Sequence, residues 1–123
     1  MPKVVAVLDD LLFGAKIAET ARQVGVELEL LRAADFSASR LSSGQPVLII
    51  FDLHAASANA VELIRQLKND PALGRIPVVS FASHVQAELH HAAEQAGCDQ
   101  VMPRSKFSAT LPELLRRYLT AAA

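Results

Sequence analysis

Short apolar runs alternate with helix-like stretches along the chain, and this alternation constrains the fold more than any other feature of the sequence. Strands are predicted at residues 3–8, 26–31, 47–51, 77–81 and 100–102. The first, third and fourth runs are apolar nearly throughout, which is typical of parallel strands buried on both faces. Parallel neighbours need a long crossover, usually a helix, so the pattern predicts alternating strands and helices around one sheet.

Helical patterns follow the strands. Phe13, Ile17 and Ala21 recur at helical spacing, and Gly25 marks the predicted end of the first helix. Residues 35–43 form a shorter and weaker helix candidate. The first two strands are thereby each followed by a predicted helix.

The last three helices have clearer signals. Asn59 is a predicted helix cap, and residues 85–96 carry the pattern of a fourth helix. Thr110-x-x-Glu113 is a capping-box pattern and predicts the start of the last helix. We therefore expect a single domain over residues 1–123. Its predicted architecture is a three-layer α/β/α fold with a five-stranded parallel sheet in the order 2-1-3-4-5.

Composition excludes several other classes of protein. No apolar run approaches the roughly 20 residues of a membrane-spanning helix. The net charge of −1, from 12 basic and 13 acidic residues, argues against a general nucleic-acid binder. The single cysteine, Cys98, forbids an internal disulfide and fits a reducing cytoplasm. We expect a cytoplasmic protein that binds neither nucleic acid nor membrane.

Acidic residues follow two strands that the predicted order makes neighbours. Asp9 and Asp10 follow the first strand, Asp52 follows the third, and Arg104 follows the fifth. Ligands of open parallel sheets bind at the carboxyl ends of the strands, where these side chains converge. Clustered carboxylates suit Mg²⁺, and a carboxylate beside a metal and a fixed cation can accept a phosphoryl group. The competing interpretation is that Asp9 or Asp10 is simply a helix cap.

Three segments carry a family resemblance: KVVAVLDD at residues 3–10, VLIIFDLHAASANAVELIRQLKNDPALGRIPVV at 47–79, and AGCDQVMPRSKF at 96–107. Together they resemble the receiver domains of bacterial two-component response regulators, of the chemotaxis (CheY-like) type. The resemblance implies a flavodoxin-like fold and a signalling module that is not an enzyme, beyond phosphorylation and dephosphorylation of itself.

The resemblance also implies site residues and partners. Asp52 is the implied phospho-acceptor, and Mg²⁺ would be held by Asp9, Asp10, Asp52 and the backbone carbonyl of His54. Arg104 would contact the phosphoryl group. A histidine kinase or phosphotransfer protein would supply the phosphoryl group. A downstream protein would bind the face built by the fourth helix, the fifth strand and the last helix.

The chain departs from the family at its switch positions. Ala82 lacks the hydroxyl of the Thr or Ser found there in receivers, and Ser83 is a weak substitute for it. Arg104 replaces a Lys, and the two are not interchangeable at a tight site. Ser105 replaces the Pro that usually follows. Two hypotheses therefore stand: a stand-alone receiver phosphorylated at Asp52, and a phosphorylation-independent pseudo-receiver that acts by docking.

A third hypothesis is a flavodoxin-like domain that binds a cofactor. Asp52-x-His54-x-x-Ser57 is similar to the Asp-x-His-x-x-Gly of cobalamin-binding domains. Here the motif follows the third strand instead of the first, its Gly is Ser57, and the chain contains no Gly-Gly. The motif therefore gives this hypothesis the least support of the three.

Overall fold

The strands of the chain form one parallel sheet in a computed structural model that describes residues 2–41, 44–83 and 85–122. They are β1 (Lys3–Val7), β2 (Glu27–Leu31), β3 (Leu48–Asp52), β4 (Val78–Ala82) and β5 (Gln100–Pro103). Their order is β2-β1-β3-β4-β5, and every neighbouring pair is parallel. The predicted sheet and strand order are confirmed.

Helices cover both faces of this sheet. They are α1 (Leu11–Val24), α2 (Ala60–Asn69), α3 (Ala87–Gln95) and α4 (Arg104–Ala122). Successive strand residues point to opposite faces, so the strands contribute to two separate cores. The core shared with α1 and α4 includes Val4, Ala6, Ile50, Phe81, Ile17 and Phe107, and that shared with α2 and α3 includes Val5, Val7, Ile49, Phe51, Ile64 and Ala93.

Two predicted helix boundaries, the start of α2 and the end of α1, are confirmed. The side chain of Asn59 accepts a hydrogen bond of 3.2 Å from the amide of Glu62 and so caps α2. Gly25 ends α1 with a φ of 89°, in the left-handed region that glycine adopts without a steric penalty. No helix in the described ranges is long and apolar enough to cross a membrane.

The second predicted helix is absent, which corrects the prediction of five strand–helix units. Two short 3₁₀ helices, Ala33–Asp35 and Ala38–Leu41, occupy its place, and residues 42 and 43 lie outside the described part of the chain. The amides of Ala33 and Ala34 donate to the side chains of Asp9 and Ser57. These hydrogen bonds tie the start of the segment to the turn after β1 and to the loop after β3.

The last helix starts six residues earlier than predicted. The capping-box interpretation of Thr110 and Glu113 is wrong, because α4 begins at Arg104 and runs through both residues. The Thr110 hydroxyl instead donates to the carbonyl of Lys106 at 2.8 Å, inside the helix. Pro112 also lies within α4, where it lacks an amide hydrogen to donate. The start of α4 is consequently fixed by the strand that precedes it and not by a local cap.

Candidate functional site

Asp52 is the last residue of β3, the central strand, and its side chain is buried. It is 4% exposed, and the amide of His54 donates to its Oδ1 at 2.9 Å. Burial raises the pKa of Asp52, and the opposing effects of the His54 amide and the Arg104 charge do not cancel that rise. Asp52 is therefore easier to protonate than an ordinary aspartate. Together with Asp9 and Asp10, which follow β1, it forms the acidic edge at the carboxyl ends of the strands.

Asp9, in the turn after β1, holds two other segments by hydrogen bonds. Its Oδ2 accepts from the Ser57 amide at 2.7 Å, and its Oδ1 accepts from the Ser57 hydroxyl at 2.9 Å and from the Ala33 amide at 3.1 Å. The Ala34 amide donates to the same hydroxyl at 2.9 Å. Partial burial raises the pKa of Asp9, but these hydrogen bonds outweigh it and the pKa lies below its ordinary value.

Asp10 caps α1 and pairs with Arg104. Its Oδ1 accepts from the Phe13 amide at 3.0 Å, and its Oδ2 accepts from the Arg104 guanidinium at 2.9 Å. The capping interpretation therefore holds for Asp10. The Phe13 amide and then the Arg104 side chain keep the pKa of Asp10 below its ordinary value. Both oxygens of this carboxylate thus have a partner within the protein.

The guanidinium of Arg104 also lies over an aromatic cluster. Its central carbon is 4.1 Å from the ring centroid of Phe13 and 6.0 Å from that of Phe81, which is cation–π geometry. Phe13 packs on Phe81, and Phe81 stacks on Phe107 at 4.5 Å. The cation is therefore held by a carboxylate on one side and by the packed core on the other.

The end of β4 has no hydroxyl at its last position. Ala82 is fully buried there, and Ser83 follows it. The Ser83 amide donates to Nε2 of His54 at 3.3 Å, while the Ser83 carbonyl lies 3.1 Å from Nε2 of His90. These two contacts position the backbone of Ser83 between β3 and α3.

The carboxylate oxygens that a shared Mg²⁺ would use at Asp9 and Asp10 are already hydrogen bonded within the protein. Within the part of the chain that the structure describes, no group of three or more His, Cys, Asp or Glu side chains is placed to hold a metal ion. A site made by Asp9, Asp10, Asp52 and the His54 carbonyl would require some of these hydrogen bonds to break, and it stays a prediction.

Ser57 is the site residue that the sequence left without a role. In the sequence it is only the last residue of the Asp-x-His-x-x-Ser pattern, yet its hydroxyl and amide join Asp9 to the loop after β3. The spacing of Phe13 predicts its place in the first helix, but its contact with the Arg104 guanidinium has no signal in the local pattern. Both partnerships span long stretches of chain, so local spacing could not reveal them.

The strand order and the helical layers define the class of fold, which is that of the CheY-like receiver domains. No protein-family model and no curated protein matches the chain. Among solved structures, the chain is similar to the signal receiver domain of a signal transduction histidine kinase from Syntrophus aciditrophicus. That match has a TM-score of 0.86 and 21% identity, and it covers 98% of this chain and 92% of the other.

Two further similar structures are response regulators. The Mn²⁺-bound form of response regulator Rcp1 has a TM-score of 0.79 and 18% identity, with 93% of this chain and 91% of that chain covered. The phosphorylated cyanobacterial phytochrome response regulator RcpA has a TM-score of 0.80 and 19% identity, with 99% and 96% covered. At these identities the shared property is the fold. The chain has the CheY-like receiver fold over nearly its whole length.

Proposed function

We propose that this chain is a receiver-type module of two-component signalling that acts by contacting another protein. One observation carries the proposal: the ion pair between Asp10 and Arg104 joins the acidic edge of the sheet directly to the first residue of α4. A change at the edge therefore has a short route to a surface helix. The same edge receives the residues that the receiver resemblance implies.

The proposed output surface is the face made by α3, β5 and α4, where the fourth and last predicted helices lie on either side of the fifth strand. Lys106 and Arg117 are exposed on α4 and line a polar groove with Gln100 of β5 and Glu113. Such a surface suits a partner with acidic and hydrogen-bonding groups. The proposed partner at this face is a downstream response protein, while a histidine kinase or phosphotransfer protein is the proposed phosphoryl donor.

The form of the site favours docking without phosphorylation. Ala82 has no hydroxyl that could hydrogen bond to a phosphoryl group, and Asp52 is 4% exposed. Asp9 and Asp10 are already hydrogen bonded within the chain. These features support the pseudo-receiver hypothesis over an active phospho-acceptor site.

Phosphorylation of Asp52 is the second candidate function. The position of Asp52 at the carboxyl end of the central strand favours it. Rcp1 in its Mn²⁺-bound form and RcpA in its phosphorylated form are similar in fold, which adds support. In this candidate, Mg²⁺ held by Asp9, Asp10, Asp52 and the His54 carbonyl would assist transfer from a kinase, and Arg104 or Ser83 would contact the phosphoryl group.

One experiment separates the two candidates. The protein and its Asp52→Asn variant are incubated with Mg²⁺ and either beryllofluoride or a small phosphoryl donor, then followed by intact mass and amide NMR. Docking without phosphorylation predicts that incubation leaves the mass of each protein unchanged and does not shift the amide signals near Asp52. A phosphoryl adduct on the wild type that is missing from the Asn variant would establish the second candidate instead.

The docking surface needs its own test. Purified candidate downstream response proteins from the same organism are titrated against the wild type and the Lys106→Glu and Arg117→Glu variants. Arg65→Glu, an exposed cation on α2, is the matched control. We expect the α4 variants to weaken binding by roughly tenfold, as for loss of a well-placed charge at an interface, while the control binds as the wild type. Equal loss in all three variants would reject this face as the docking surface.

A further inference from the structure

Arg104 lies where it can neutralise the acidic edge without help from a bound ion. It is the first residue of α4 and follows β5 without an intervening loop, so its backbone is fixed by the sheet. Its guanidinium carries a permanent positive charge, because arginine does not lose its proton in proteins. The edge thus contains a cation of its own, delivered by the fold.

Two contacts hold this cation in one place. The Arg104 guanidinium is 2.9 Å from Oδ2 of Asp10 and 4.1 Å from the ring centroid of Phe13. Phe13 itself is fixed in the core by its contact with Phe81, at 5.2 Å between ring centroids. The planar group is therefore sandwiched by a carboxylate and a buried ring, and only part of it faces solvent.

A divalent ion would need the oxygen that Arg104 occupies. The other oxygen of Asp10 is committed to the Phe13 amide at the cap of α1, and Asp9 accepts three hydrogen bonds of its own. Arg104 is part of the chain, so it contacts Oδ2 of Asp10 without the loss of translational entropy that a free ion incurs on binding. Arg104 therefore competes with a free divalent ion for Oδ2 of Asp10 at an advantage.

We propose that Arg104 is the resident cation of the acidic edge, which excludes divalent ions from Asp10 and keeps the junction of β5 and α4 in one arrangement. The consequence for signalling rests on the proposed function: with Arg104 in place, the arrangement of the output surface does not depend on a bound metal. Its chemistry does not depend on any partner. A failure to find a docking partner would therefore leave this inference standing.

The test uses Mn²⁺ alone as the probe and amide NMR as the measurement. The paramagnetic ion broadens signals near its binding site, so the amides of Leu11 and Leu53 are compared with that of Tyr118 at the far end of α4. Arg104→Met removes the charge but keeps an apolar stem over Phe13, and Arg116→Met on the same helix is the matched control. We expect selective loss of the Leu11 and Leu53 signals in Arg104→Met, and none in the wild type or the control.

Two results would overturn the inference. Selective broadening in the wild type would show that the ion reaches the edge in the presence of Arg104. Absence of selective broadening in a folded Arg104→Met variant would show that Arg104 is not the group that keeps the ion away. Should Arg104→Met give a poorly dispersed spectrum, Arg104→Gln provides the same comparison with a neutral polar side chain, and the wild-type titration stands on its own.

Discussion

The Ser57 hydroxyl is the group whose removal tests most directly how the acidic edge is held together. It donates to Oδ1 of Asp9 at 2.9 Å and accepts from the Ala34 amide at 2.9 Å. It therefore links the turn after β1, the segment after β2 and the loop after β3. Ser57→Ala deletes both hydrogen bonds but leaves the Ser57 amide to donate to Asp9 at 2.7 Å.

The expected cost follows from the two lost bonds. A hydrogen bond to a charged group contributes roughly 1.5–3 kcal/mol and a neutral one about 1 kcal/mol. Ser57 is only half-buried, so we take the lower end of the first range and expect a loss of about 2–3 kcal/mol in the free energy of unfolding. For a domain of this length that corresponds to a fall of about 10 °C in Tm.

Urea unfolding of wild type, Ser57→Ala, Asp9→Ala and the double variant measures this cost and its origin. The double-mutant cycle should give a coupling of about 1–2 kcal/mol between the two side chains, with unchanged denaturant dependence. The pKa of Asp9 is lowered on folding, so its contribution is present above the unfolded pKa and is lost as the pH falls. A Ser57→Ala loss below about 0.5 kcal/mol, or additive single effects, would refute the reasoning.

Three more variants probe the rest of the molecule. Because folding raises the pKa of Asp52, ionisation of this side chain destabilises the fold as the pH rises. The Asp52→Asn variant should therefore have a higher urea midpoint than the wild type at neutral pH, and the difference should disappear in acid. Lys68 bonds Asp99 at 2.7 Å and two backbone carbonyls, so Lys68→Met should lower the unfolding free energy by about 2 kcal/mol, measured by urea titration with exposed Lys16→Met as control. Phe107 is fully buried, so Phe107→Ala should cost about 3–5 kcal/mol by the same measurement, and a cost below 1 kcal/mol would contradict the packing.

The sheet was predictable from the sequence because buried parallel strands read directly as apolar runs. Their carboxyl ends then brought Asp9, Asp10 and Asp52 to one edge, with Arg104 entering from β5. Local spacing was sufficient for this part, since strand order and handedness allow few arrangements. The cap at Asn59 was equally visible, because the capping side chain lies three residues from its partner.

The remaining features depend on contacts between distant parts of the chain. Asp9 and Ser57 are 48 residues apart, and Asp10 and Arg104 are 94 apart. The first contact joins the turn after β1 to the loop after β3. The second contact pairs Asp10 with the first residue of α4, which begins six residues before the predicted start at Thr110. No short-range pattern encodes either contact, so the partners of the acidic residues became visible only in three dimensions.

Because α4 is long, a small change of angle at the Asp10–Arg104 pair corresponds to a larger displacement at the far end of the helix. The helix has 19 residues and is therefore about 28 Å long at a rise of 1.5 Å per residue. A tilt of roughly 10° about its first residue would displace its far end by about 5 Å, by the same geometry. Tyr118, near that end, lines a cleft of about 260 Å³ with Gln45 and Pro77 at the opposite edge of the sheet. A tilt of α4 that followed release of the Arg104 guanidinium would therefore change the width of a cleft at the far end of the helix.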